Sequence, residues 1–115
     1  MITFESEQIV AAPLEDVFAF FADAKNLEVI TPPMLNFNIL SMSTPVIQKD
    51  TLIWYRLKLR GLPMKWKTLI SVWNPPYQFV DEQLSGPYRV WHHTHTFESV
   101  PGGTRIHDVV KYELP

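Results

Sequence analysis

The chain has no cysteine, which excludes disulfides, thiolate metal sites and cysteine nucleophiles, and gives no sign of an oxidising compartment. Glycine is scarce. Only four are present, and none sits between a strand and a helix, where a phosphate cradle needs it. Positive charge is not in excess either. Ten Lys and Arg face twelve Asp and Glu, a net charge of −2, so there is no electrostatic case for nucleic acid or an anionic membrane surface. No apolar run approaches the roughly 20 residues that span a bilayer. The start, Met1 to Glu5, lacks the basic and then apolar pattern of a signal peptide. The expectation is one cytoplasmic domain over residues 1–115, and its 46% hydrophobic content is ample for a single core. No cofactor signature is found.

Proline, by contrast, is abundant. The ten prolines fall mostly between periodic segments, as turn residues do. Ile2 to Val10 alternates as a strand does. Pro13 then occupies a helix start, where its missing N–H costs nothing, and Glu15 and Asp16 suit the first turn. Leu14, Val17, Phe18 and Phe21 give a helix of about three turns ending near Asp23. Ala24 to Ile30 reads as a second short helix, stopped by Thr31-Pro32-Pro33. Strands follow at Leu35–Leu40, Thr51–Arg60, Met64–Trp73 and Gln78–Leu84, with Gly61-Leu62-Pro63 as a hairpin turn. A last pair of strands begins after Ser85-Gly86-Pro87 and turns at Val100 to Gly103. Seven strands and two helices predict a curved antiparallel sheet of the α+β class.

The last hairpin has a testable register. A four-residue loop at Val100 to Gly103 sets Ser99 against Thr104, Glu98 against Arg105, Phe97 against Ile106, His95 against Asp108, His93 against Val110 and Trp91 against Tyr112. One face is then charged, with Glu98, Arg105, His107 and Lys111. The other is aromatic with an embedded His–Asp pair, as the wall of a ligand cavity would be.

The order β-α-α-β-β-β-β-β-β, with Phe79-x-Asp81-x-Gln83-x-x-Gly86-Pro87-x-x-x-Trp91-x-His93-x-His95-x-Phe97, resembles the SRPBCC superfamily. These are START-like, helix-grip domains that include polyketide cyclases, pollen allergens and hormone receptors. Gly102-Gly103-Thr104-Arg105, Asp108 and Tyr112-Glu113-Leu114-Pro115 fit its bacterial ligand-binding subgroup, and the resemblance spans the whole chain. It implies a helix-grip fold and a cavity for a small hydrophobic or amphipathic molecule. Relatives normally continue into a long C-terminal helix that closes the cavity, whereas this sequence stops at Pro115. The expectation is therefore a fragment, or a groove covered by another surface, most simply in a homodimer.

Trp91, His93, His95, Phe97, Asp108 and Tyr112 are the first candidates for ligand binding. Asp81 and Gln83 on the preceding strand, with Trp66 and Tyr55, complete the set. His95 with Asp108 is the candidate acid/base pair of a cyclase- or dehydratase-like enzyme, with His93 or Tyr112 polarising a carbonyl. The bland alternative is a hydrogen-bonded polar pair in an apolar cavity, and for Asp81 and Gln83 an edge-strand turn pair. Two histidines and a carboxylate also resemble a metal triad, but same-face ring nitrogens tend to diverge, and no metal is expected. The leading function is binding of a small hydrophobic ligand. The alternatives are the enzyme just described and an interaction module using the open groove.

Overall fold

A computed structural model describes residues 1–26, 36–59 and 61–114. Its strands are β1 (Ile2–Val10), β2 (Asn38–Met42), β3 (Leu52–Leu59), β4 (Leu62–Asn74), β5 (Gln78–Ser85), β6 (Val90–Val100) and β7 (Gly103–Glu113), with helix α1 (Leu14–Ala22) after β1. All pair antiparallel in one seven-stranded sheet of order β1-β7-β6-β5-β4-β3-β2. β1 crosses over to pair with the last strand, and every other neighbour is consecutive. Register shifts in β4 against β5, between Lys67 and Thr68 and between Ile70 and Val72, supply extra residues. Such bulges bend and twist a sheet.

α1 starts where Pro13, in extended geometry, presents its carbonyl to Val17 N–H at 3.0 Å. Its apolar spacing has one consequence. Val17 and Phe18 are buried, while Leu14 and Phe21 are partly buried beside them. They pack on Phe79, Phe97 and Ile106 of β5, β6 and β7. Phe18 meets Phe97 and Phe79 edge-on, with centroids 5.2 and 6.0 Å apart. A second cluster, Ile47, Ile53 and Ile70, lies towards β2 and β3, and Trp73 touches both. The helix is thus held over one end of the sheet, and among the described residues no helix covers the other end of the same face.

The β6–β7 hairpin has the expected register throughout, from Trp91 opposite Tyr112 to Ser99 opposite Thr104. The loop is shorter than the expected Val100 to Gly103, because Val100 pairs with Gly103. Pro101 and Gly102 alone make the turn, and Gly102 has φ 89°, the positive value that follows proline in a type II turn. Gly103 (φ 150°) meets the end of β1 so closely that a Cβ there would lie 2.0 Å from Val10 O. Thr104, fully buried, donates its hydroxyl to Ala12 O at 2.8 Å.

Some element boundaries differ from the sequence reading. Leu62 and Pro63 already pair with Leu59 and Lys58, so the turn about Gly61 is tighter than a Gly-Leu-Pro loop. β2 begins at Asn38 and runs to Met42, with a shift between Ile39 and Ser41, and its expected first residue, Leu35, lies outside the described residues. Of the second helix, residues 24–26 are helical and the rest of the expected span lies outside them. β6 begins at Val90, because Gly86 to Arg89 form the connection.

Candidate functional site

The open end of the sheet, beside α1, carries a groove of about 550 Å³. Its walls are apolar and largely aromatic, with Phe4, Phe37, Tyr55, Trp66, Tyr88 and Trp91 among them. The polar groups at its floor are Asp81, His93, His95 and Asp108, with Ser6, Thr68 and Tyr55 beside them. No Lys or Arg lines it among the described residues. His92, Thr94 and Thr96 do not line it, as strand alternation requires once Trp91, His93 and His95 do.

Register explains how four chemistry-bearing side chains meet. His95 lies directly opposite Asp108 on β7, and His93 directly opposite Asp81 on β5. The side chains then reach diagonally as well as straight across, as neighbours on one sheet face can. His95 Nδ1 contacts Asp108 Oδ1 at 3.1 Å, and His95 Nε2 contacts Asp81 Oδ2 at 2.6 Å. His93 Nε2 reaches the same Asp108 oxygen at 3.0 Å. The His93 and His95 rings stack with centroids 3.7 Å apart, and Phe79 stacks on the other side of His95 at 4.1 Å.

A carboxylate only accepts hydrogen bonds. Both nitrogens of His95 face carboxylate oxygens, so both donate and the ring is an imidazolium. Burial works against that charge, but hydrogen bonds to Asp108 and Asp81, with their charges, outweigh it and hold the pKa at about 9. Asp108 shows the complement. Burial pushes it upwards, yet the hydrogen bonds from His93 and His95 and the charge of His95 take it well below the usual carboxylate range. Burial also pushes the Tyr55 phenol up. Its 3.2 Å hydrogen bond with Thr68 opposes that and the Asp81 charge adds to it, so Tyr55 stays neutral.

This geometry revises several assignments. Asp81 is not part of an edge-strand turn, because β5 lies inside the sheet and Asp81 forms one side of the imidazolium clamp. Gln83 is taken up elsewhere. Its amide bonds both backbone groups of Tyr88, accepting from Tyr88 N–H at 3.1 Å and donating to its carbonyl at 2.5 Å. A Cβ on Gly86 would lie 2.4 Å from Gln83 Oε1, so that glycine makes room for the clamp. Phe97, 2% exposed, belongs to the core beneath α1 rather than to the groove. Tyr112 lies beyond the groove lining and packs on Trp91 and Tyr88. The sequence reading missed Phe4 and Ser6 of β1, which face Val110 and Asp108 on β7. Their alternation was visible, but not the strand they would pair with.

Asp81, His93 and His95 offer ligand atoms within 4.8 Å of one another, so a metal has to be considered. Ring-nitrogen lone pairs lie in the ring plane. Two imidazoles stacked within 24° of parallel send them side by side instead of towards one point about 2.0–2.1 Å away. Both nitrogens of His95 are also already hydrogen-bonded to carboxylates. The arrangement is that of a hydrogen-bond network rather than a coordination sphere.

A helix laid against a curved antiparallel sheet, with an apolar groove floored by a few polar groups, defines a helix-grip domain. The model of the family "Polyketide cyclase / dehydrase and lipid transport" matches residues 10–115, and the chain belongs to that family within the SRPBCC superfamily. No curated protein matches the chain. Solved structures share the fold at low identity. Protein CV1439 from Chromobacterium violaceum is 14% identical with a TM-score of 0.82, over 100% of this chain and 81% of that one. The di-domain ARO/CYC BexL from the BE-7585A biosynthetic pathway is 16% identical with a TM-score of 0.79, over 99% of this chain and 36% of that one. Ara h 8.0201 is 16% identical with a TM-score of 0.74, over 98% and 77%. Among the described residues no helix is long and apolar enough to cross a membrane.

Proposed function

We propose that the protein binds a small, mainly hydrophobic molecule in this groove. One observation carries the reading: a groove of about 550 Å³ walled by aromatic and aliphatic side chains, with its polar groups gathered at one place. Apolar walls supply affinity and a few fixed polar groups supply orientation, the usual division of labour in small-molecule sites. The family, whose description includes lipid transport, supports the same class of ligand. Nile red, an uncharged apolar dye, tests it. Saturable fluorescence at one site per chain, with quenching of the groove tryptophans Trp66 and Trp91, is the expected result. Unsaturable or absent binding would overturn the reading.

A second reading is enzymatic and rests on His93. Its Nε2 is held by Asp108, while Nδ1 has no partner among the described residues. An imidazole oriented by a carboxylate and open at its other nitrogen has the form of a general acid/base. His95 does not, since both its N–H groups are engaged. A cyclase- or dehydratase-type step on a polyketide-like substrate, in keeping with the family description and the ARO/CYC neighbour, would therefore use His93 with Asp108 as its positioning residue. His93→Ala would lower turnover of such a substrate by about 10²-fold or more. Retained turnover would remove His93 from the mechanism.

A further inference from the structure

Resting on the ligand-binding reading, we infer that the groove selects a molecule whose polar end donates hydrogen bonds, a hydroxyl, phenol or ammonium, and discriminates against carboxylates and other anionic heads. Donors and acceptors at the groove floor are not equally free. The imidazole N–H groups that face the two carboxylates are already used. His95 gives both N–H groups to Asp81 and Asp108, and His93 gives Nε2–H to Asp108. Acceptors remain. Asp81 uses only Oδ2 and Asp108 only Oδ1, so among the described residues the second oxygen of each carboxylate has no partner. The hydroxyls of Ser6 and Tyr88, and of the bonded pair Tyr55 and Thr68, both donate and accept, and do not tip the balance.

Charge points the same way. In formal charges, two carboxylates against the His95 imidazolium sum to −1, and counting the His93 ring as a second cation brings the sum only to zero. It is positive in neither case, and among the described residues no Lys or Arg lines the groove to compensate. The indole N–H of Trp66 is buried and has no hydrogen-bond partner among the described residues, and the rings of Tyr55, Tyr88 and Trp91 pack around that indole. A carboxylate would thus lose its hydration and face two carboxylates, with neutral hydroxyls to receive it and no cationic group in excess, the costly kind of burial. A hydroxyl or ammonium would meet acceptors that lack partners. The surrounding aromatic faces also suit a cation or an uncharged ring better than an anion.

The test is a matched series displacing Nile red at pH 7: 2-naphthol, 1-naphthylmethylamine and 2-naphthoate share one apolar body. The naphthol and the amine are expected to compete at concentrations at least about tenfold below the naphthoate, the factor worth about 1.4 kcal/mol. In Asp81→Asn and in Asp108→Asn the naphthoate-to-naphthol ratio of competing concentrations should fall towards one, because each change removes a negative charge and adds an N–H donor. Naphthoate competing as well as or better than naphthol in the unaltered protein overturns the inference while leaving the binding site standing. An unchanged ratio in both variants shows that the carboxylates do not set the preference, and overturns it too. If Nile red itself fails to bind, the ligand-binding reading falls, and this inference with it.

Discussion

The two faces of the β6–β7 hairpin carry the same kinds of charged pair in different surroundings. On the groove face His95 lies 2.6 Å from Asp81 and 3.1 Å from Asp108, with side chains 14–21% exposed. On the opposite face Arg105 lies 3.0 Å from Glu7 and 3.6 Å from Glu98, with side chains 37–63% exposed. Each set arises from one residue parity, so a single alternation places one inside and the other in water. The difference lies in what competes with the pair. Water and salt take over much of the attraction at Arg105. At His95 little water is available, and removing one partner leaves the others without compensation.

The largest expected effect follows from that. His95→Ala leaves Asp81 and Asp108 facing each other without the cation between them, and should destabilise the fold by about 3 kcal/mol, the lower end for a broken buried pair. Urea unfolding at pH 7 measures it. A loss below about 1 kcal/mol would place the groove cluster with the surface pairs and end the contrast.

Titration probes the same clamp without mutation. His95 has a folded pKa of about 9 against an ordinary 6.5, so its contribution is complete below pH 6.5. It falls as the pH rises through 9, by at most about 1.4 kcal/mol per pH unit. Asp108 is depressed, so its share of the same interaction is complete above the ordinary carboxylate range and is lost only as the pH falls below it. The expected profile is a plateau in mildly acidic solution with an alkaline decline, measured by urea midpoints from pH 6 to 9. The decline should flatten in His95→Ala. A decline that persists unchanged in that variant would assign it to other groups.

His93→Ala should cost less, about 1 kcal/mol, because Asp108 keeps its bond to His95. Nuclear magnetic resonance of the His95 ring in that variant should still show an imidazolium at pH 7. A neutral ring would mean that His93, rather than the two carboxylates, sustains the charge.

Much of this hairpin was legible before any coordinates. An even-length loop at Val100 to Gly103, with Glu98 opposite Arg105, gave the register that put His95 opposite Asp108. The helix face of Leu14, Val17, Phe18 and Phe21 was equally readable from its spacing. What alternation does not convey is depth along a face. Phe97 shares parity with His95, yet it lies under α1 and His95 lies beyond the helix, a distinction set by where a nine-residue helix ends over the sheet. Nor does alternation say which diagonal a side chain takes. Asp81 faces His93 by register but bonds His95, because the His95 nitrogen is the one directed at it. Gln83 had the right parity and the wrong neighbour, since the Tyr88 backbone lay within reach of its amide.

The smallest effect belongs to the outer face, and its smallness is informative. Arg105 divides its guanidinium between Glu7 and Glu98, and the Glu98 contact at 3.6 Å is long for a charge-assisted hydrogen bond. Its fixed geometry costs side-chain entropy, and water screens what attraction is left. A double-mutant cycle with Arg105→Ala and Glu98→Ala should give a coupling below about 0.5 kcal/mol. Raising the salt to 1 M, where the screening length is about 3 Å, should bring it to zero. The parallel cycle with His95→Ala and Asp81→Ala should give at least about 2 kcal/mol and change little with salt. Equal couplings, or an equal response to salt, would mean that the alternating strand had not separated two electrostatic environments. The polar cluster in the groove would then have no more hold on a ligand than the charged surface has.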